Sequence, residues 1–220
     1  MSHDASSNRV WYELSRVCVR FGAAAAFRIR YSGRENVPKT GGVLVVSNHQ
    51  SHLDPPLIGA GFPRMLNYLA RQSLFRFPLF ARLIRSYGAI PIDLEGTGLS
   101  GLKETLKRLK GGQAVLMFPE GTRSPDGRIG PFLPGYCTLA VRSRAAILPV
   151  AIEGAFDAWP RWRKLPRTGV VHVHYGLPLR PDEVRAMAEA DLMAEVERRV
   201  RQCHAKLRDR AVFRVARSRQ

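Results

Sequence analysis

Residues 41–56 read GGVLVVSNHQSHLDPP. Val43 to Val46 form a continuous apolar run rich in β-branched residues, the pattern of a strand buried on both faces of an α/β sheet. Pro55 and Pro56 carry a preset φ that suits the opening of a helix. Between strand and helix, His49, Ser51, His52 and Asp54 crowd one short polar loop. Active groups of α/β sheets sit on such loops, beyond the carboxyl ends of strands.

Further apolar runs at Ala89–Ile92, Ala114–Phe118 and Ala146–Ile152 read as more strands. Val170–Tyr175 alternates like an edge or half-exposed strand, and Pro91 and Pro149 argue against central placement of theirs. Leu99, Leu102, Leu106 and Leu109 recur at helical spacing, with Gly111-Gly112 as the stop. Arg180-Pro181-Asp182-Glu183 opens a long C-terminal helix with acids in its first turns, and nine bases face one acid, Asp209, from Arg198 onward. Strands alternating with helices predict an α/β fold with a mixed, largely parallel sheet flanked by helices.

The chain has 220 residues, which fits one domain. Residues 1–31 are expected to form an N-terminal amphipathic helix, with the domain, its C-terminal helix and a basic tail occupying 32–220. In Val10 to Tyr31 the apolar side chains are interrupted by Arg16, Arg20, Arg28 and Arg30. That mixture suits a helix lying in a membrane interface with arginines reaching phosphates, or equally one docked on the domain. No run of uncharged apolar residues is long enough to span a bilayer.

Charge is the unusual bulk feature. Lys and Arg number 35 against 18 Asp and Glu, a net +17, which favours a polyanionic partner such as nucleic acid, anionic lipid or a phosphorylated substrate. No acid occurs from Pro55 to Ile92, where Arg64, Arg71, Arg76, Arg82 and Arg85 alternate with Leu74, Phe75, Phe77, Leu79, Phe80, Leu83 and Ile84. Such a stretch suits a surface of phosphate heads and acyl chains, or an ordinary helix with one buried and one solvated side. No recognised DNA- or RNA-reading motif accompanies the charge. Cys18, Cys137 and Cys203 are odd in number and unpaired in spacing, so neither a disulfide framework nor a zinc knuckle is indicated, and a reducing cytosolic setting fits.

A general base needs an imidazole free to accept a proton and a carboxylate that fixes its other nitrogen. His49 and Asp54 lie five apart, which in a continuous helix would rotate them about 140° from one another. As a loop turning into a helix, the spacing lets Asp54 fold back onto His49. His52 competes as the base, and an H-x-x-H pair with a carboxylate could also hold a metal. A serine hydrolase is disfavoured because no G-x-S-x-G elbow exists. A second loop, Phe118-Pro119-Glu120-Gly121-Thr122-Arg123-Ser124, follows another apolar strand and offers a glycine turn and a planar guanidinium suited to phosphate.

Taken together, these blocks resemble the 1-acyl-glycerol-3-phosphate acyltransferase family of glycerophospholipid synthesis. The resemblance spans roughly 32–179 in four ordered blocks: NHQSHLD, GAIPID (Gly88 to Asp93), FPEGTRS and ILPVAIEG (Ile147 to Gly154). It implies direct acyl transfer from acyl-CoA or acyl-carrier protein to the hydroxyl of a lyso-phospholipid, with phosphatidic acid the expected product and no metal or other cofactor. It implies His49 as the base, Asp54 as its orienter, and Arg71, Glu120, Gly121, Thr122 and Arg123 as substrate-binding residues. It also implies peripheral or monotopic residence on the cytoplasmic face of the cell membrane, on anionic lipid, and no nucleic-acid partner. Two departures stand out: Leu94 and Leu133 occupy positions where many members carry a cation. They open the alternative of another lyso-lipid acceptor, for example a lyso-ornithine lipid.

Overall fold

The computed structural model describes residues 27–93 and 98–217. The N-terminal segment 1–26 and Leu94 lie outside the described residues. The described residues form seven strands: β1 (Phe27–Ser32), β2 (Val43–Ser47), β3 (Leu66–Arg71), β4 (Ala89–Ile92), β5 (Ala114–Met117), β6 (Ala146–Glu153) and β7 (Gly169–Tyr175). They form a single sheet in the order β1-β7-β6-β2-β5-β3-β4. Every neighbouring pair is parallel except β6 with β7. The helices are α1 (Asp54–Gly61), α2 (Pro78–Ser86), α3 (Leu99–Lys110), α4 (Tyr136–Ser143), α5 (Ala155–Ala158), α6 (Pro181–Ala186) and α7 (Glu189–Arg217).

The apolar run that began the sequence reading is the middle of this sheet. All five residues of β2 are buried, and alternation divides them between two cores. Val43 and Val45 join Leu57 and Ile58 of α1 and Phe62 just after it on one face. Leu44 and Val46 join Leu109 of α3, Leu139 and Ala140 of α4, and Leu192, Val196 and Val200 of α7 on the other. A strand covered on both faces has no position for a polar side chain until it leaves the sheet, and Ser47 and Asn48 mark that exit.

Asn48 is itself buried and extends the sheet by one step. Its Nδ2 donates to Ile152 O at 2.9 Å, and its Oδ1 accepts from Ile152 N at 2.9 Å. The side-chain amide thus takes the place of a peptide unit in pairing with β6, which fixes where the loop after β2 departs.

Three sequence expectations are corrected by this architecture. Residues 27–31 belong to β1, not to an N-terminal helix, and pair in parallel with β7. In FRIRYS the apolar Phe27, Ile29 and Tyr31 alternate with exposed Arg28 and Arg30, a period of two masked by the alanine run before it. Consequently β7 is not an edge strand, since β1 covers it. The C-terminal helix is interrupted: Met187 adopts an extended φ of −92° and ψ of 145°, separating α6 from α7.

Pro149 sits in a central strand, against its usual preference. The chain opposite explains it. Ile147 exchanges two backbone hydrogen bonds with Leu179, and the β6–β7 ladder begins only at Val150 with Tyr175. Pro149 falls between those two pairings, where residues 176–178 loop away, and its carbonyl accepts from Gly176 N at 2.8 Å. No ladder bond is lost for want of its N–H. Pro91, by contrast, lies on the edge strand β4.

Candidate active site

Parallel pairing places the carboxyl ends of β6, β2, β5 and β3 side by side at one edge of the sheet. The loop after β2 carries His49, that after β5 carries Glu120–Arg123, and β3 ends on Arg71. Residues far apart in sequence therefore meet because their strands are neighbours.

Asp54, the first residue of α1, has no exposed side-chain surface. One of its oxygens, Oδ2, accepts from His49 Nδ1 at 2.8 Å, Gln50 N at 2.5 Å and Ser51 N at 2.7 Å. A carboxylate at that point satisfies two backbone donors of the turn and fixes the imidazole with Nδ1 as its N–H. Nε2 is left as the basic atom. Phe118 stacks on the ring, centroids 4.0 Å apart and planes inclined by 14°, and so sets its tilt. The His49 side chain keeps 18% exposure, enough to meet a substrate while its partner is fully enclosed.

Glu120 locks the two loops together. Its Oε1 accepts from His49 N at 2.8 Å and its Oε2 from Gly130 N at 2.9 Å, while Ser124 N donates to His49 O at 2.7 Å. Burial pushes the Glu120 carboxyl up, opposed by those two amide donors. With both oxygens engaged by backbone, Glu120 holds the loops in register. Gly121, at φ 68°, makes the turn that lets the loop come back; a Cβ there would meet Leu133 Cδ1 at 2.8 Å. Leu133 therefore packs beside the turn and brings no charge to it. Thr122 is exposed on the same turn.

Arg123 is the electrostatic focus. Its Nη1 is buried without a hydrogen-bond partner. Burial first, then the charges of Arg161 and Arg71, lower the affinity of its guanidinium for its proton, and Asp54 opposes them. A buried N–H with no protein acceptor, with the charges of Arg161 and Arg71 acting on it, can receive an anion. His52, on the same loop, is pushed down by partial burial and by Arg123 and His49, so it stays neutral near pH 7. Its ring leans on Trp159, 5.4 Å away. Among the described residues no three His, Cys, Asp or Glu side chains gather as a metal-ligand set.

Two supports were invisible in the sequence because they come from α7, far along the chain: His204 lies 154 positions after Gln50, and Arg201 lies 71 after Gly130. His204 Nε2 lies 2.6 Å from Glu153 Oε2 at the end of β6, and Gln50 Nε2 donates to Glu153 Oε2 at 3.2 Å and to Gly127 O at 2.8 Å. Arg201 donates to the carbonyls of Ile129 and Gly130 at 3.2 and 3.1 Å, behind the amide that Glu120 holds. A single histidine on a basic helix offered no periodic or motif signal.

The segment 74–85 differs from an ordinary amphipathic helix. Within α2 only Ala81 is buried, whereas Phe77 and Leu79 are 67% and 87% exposed, close to Arg76, Arg82 and Arg85. Arg85 lies over the Phe75 ring at 5.4 Å. Among the described residues no helix is long and apolar enough to cross a membrane.

A family model described as Acyltransferase matches residues 28–153. A 1-acyl-sn-glycerol-3-phosphate acyltransferase of Pseudomonas aeruginosa is 34% identical over 177 residues, 78% of this chain and 67% of that protein. One from Bacillus subtilis is 28% identical over 69% of this chain and 73% of its own. A chloroplastic one from Arabidopsis thaliana is 33% identical over 61% of this chain, which spans only 38% of that protein's length. The crystal structure of the 1-acyl-sn-glycerophosphate acyltransferase of Thermotoga maritima superimposes with a TM-score of 0.82 at 28% identity, covering 94% of this chain and 84% of that one.

The Glu153 carboxyl is raised by burial but held below its ordinary value by the hydrogen bond and charge of His204 and by the Gln50 amide. A depressed acid stabilises the fold above its unfolded value and loses that contribution as pH falls through the folded one. His204→Ala should therefore lower unfolding free energy by about 1–3 kcal/mol at about pH 7, and by clearly less at about pH 3. Urea titration at the two pH values measures this; an equal deficit at both would show that the pair contributes no charge-dependent stability.

Proposed function

The chain belongs to the Acyltransferase family, and on that premise we propose that it transfers a fatty acyl group from a thioester donor to the hydroxyl of a lyso-phospholipid, foremost 1-acyl-glycerol-3-phosphate. The observation that carries this reading is the 2.8 Å contact between His49 and the enclosed Asp54, set beside an arginine with a buried, unpartnered N–H. One group can take a proton and the other can hold a phosphate.

In the proposed reaction His49 Nε2 accepts the proton of the glycerol hydroxyl as its oxygen attacks the thioester carbon. The imidazolium that forms is stabilised through Nδ1 by Asp54. Collapse of the tetrahedral adduct breaks the carbon–sulfur bond, and the departing thiolate takes the proton back from Nε2. An ester and a free thiol result, and the histidine is restored. The thioester supplies the driving force, so no cofactor enters the chemistry. Acyl-CoA or acyl-carrier protein serves as donor, Arg123 and Arg71 hold the acceptor phosphate, and Gly121 and Thr122 frame it.

The acceptor resides in a bilayer, so the enzyme must work at a membrane. Phe77, Leu79, Phe80 and Leu83, exposed among arginines, form a surface suited to acyl chains and anionic heads. We assign them to peripheral docking, on the cytoplasmic face of the cell membrane. Nothing comparable favours nucleic acid, since no aromatic platform beside a base-reading motif accompanies the charge.

With a lyso-phosphatidic acceptor and an acyl-CoA donor, thiol release should fall about 10²- to 10⁴-fold in His49→Ala while its thermal midpoint stays near that of the wild type. Undiminished turnover would remove His49 from the chemistry. Arg123→Lys should raise the acceptor KM several-fold, because an ammonium replaces a two-pronged donor; an unchanged KM would exclude it from the phosphate site. Phe77→Ser combined with Leu79→Ser should lower co-sedimentation with anionic vesicles and leave turnover of a detergent-dispersed acceptor intact. Full vesicle binding by that variant would refute the docking surface.

A further inference from the structure

Four neighbouring parallel strands end at the site edge, and three of them deliver the His49 loop, the Glu120–Arg123 turn and Arg71. The fourth, β6, continues through α5 into Trp159–Arg167. This segment is tightly closed: Arg167 N donates to Ala158 O at 2.7 Å, Arg163 N to Pro160 O at 3.1 Å, and Trp159 Nε1 to Arg163 O at 2.8 Å. It is also fastened to the His49 loop. Ser51 Oγ donates to Trp159 O at 2.7 Å, and the rings of His52 and Trp159 lie 5.4 Å apart. Pro160, next in the chain, is buried, so Arg161 extends from an anchored base and not from a free loop.

We propose that Arg161 is the third guanidinium of the anion site, meeting the acceptor phosphate from the β6 side while Arg71 meets it from the β3 side and Arg123 lies between them. The sheet order places the strands in that sequence, with β2 and β5 flanked by β6 and β3. The electrostatics agree: after burial, Arg161 disfavours the charged form of Arg123 most strongly, ahead of Arg71, so its charge lies near. The carboxylates beside them are already engaged, Asp54 by His49 and two amides and Glu120 by the amides of His49 and Gly130.

Such a surplus has a chemical preference. A phosphomonoester carries between one and two negative charges near neutrality, with a second pKa of about 6, whereas a phosphodiester headgroup carries one. A third guanidinium is attracted more strongly to the doubly charged monoester than to the singly charged diester. Arg161 thus acts as a specificity determinant that favours a terminal phosphate. The apolar Leu133, at the other border of the Gly121 turn, supplies no such charge.

The inference rests on the acyl-transfer reading, and the test separates the two. Steady-state kinetics compare wild type, Arg161→Gln and Arg161→Lys with 1-acyl-glycerol-3-phosphate and with a lyso-phospholipid whose phosphate is a diester. Arg161→Gln should raise the monoester KM about tenfold, leave kcat and the donor KM within about twofold, and reduce monoester-over-diester selectivity by about the same tenfold. Arg161→Lys should fall between. The penalty should shrink as pH drops below about 6, where the phosphate becomes singly charged. A merely structural role would alter both acceptors and the donor alike, without that pH dependence, and would overturn the proposal, as would an unchanged monoester KM. If wild type itself releases no thiol on adding either acceptor, the acyl-transfer reading fails and takes this inference with it.

Discussion

One carboxylate oxygen governs the site. Asp54 Oδ2 binds the His49 ring and the amides of Gln50 and Ser51 at once, inside a region closed to water. A neutral side chain could not draw three donors to one atom. That requirement forces the chain after β2 into a tight turn, sets α1 immediately after it, and selects the imidazole tautomer whose Nε2 can accept a proton. Backbone geometry, helix start and proton-accepting capacity thus have a single electrostatic cause.

Around that turn the molecule is arranged to keep it still. Asn48 pins the exit of β2 to β6, Glu120 ties the His49 loop to the Gly130 region, and His204 with Glu153 backs Gln50 from α7. Each contact joins segments that sequence separates widely and the parallel sheet brings together. The rigidity serves chemistry, since a base displaced by about 1 Å can lose two orders of magnitude in rate. Against this rigid frame Arg123 is under-satisfied: the fold gives its Nη1 no protein acceptor, which leaves room for an anion.

Much of this was legible in the residues. Val43–Val46 announced a doubly covered strand because each of its side chains needs an apolar neighbour, and the His49–Asp54 spacing announced a loop because a helix would have parted them. The strands at Ala89, Ala114 and Ala146 followed from the same logic. β1 escaped notice because Arg28 and Arg30 looked like interruptions of a helix, while their partners Phe27, Ile29 and Tyr31 only reveal a period of two once β7 lies beside them. β3 was hidden because LNYLAR shows no alternation, its burial falling from Leu66 to exposed Arg71. Arg201 and His204 could not be found from sequence at all. Their importance arises from contacts across the fold, and no local pattern encodes those.

The central claim is that Asp54 holds His49 as an Nδ1–H imidazole whose Nε2 faces the acceptor. Heteronuclear NMR of histidine-labelled protein reads this directly. The account predicts that the neutral His49 ring carries its proton on Nδ1 and that lyso-phosphatidic acid shifts the Nε2 signal. A proton on Nε2, or an Nε2 resonance indifferent to the acceptor, would contradict it.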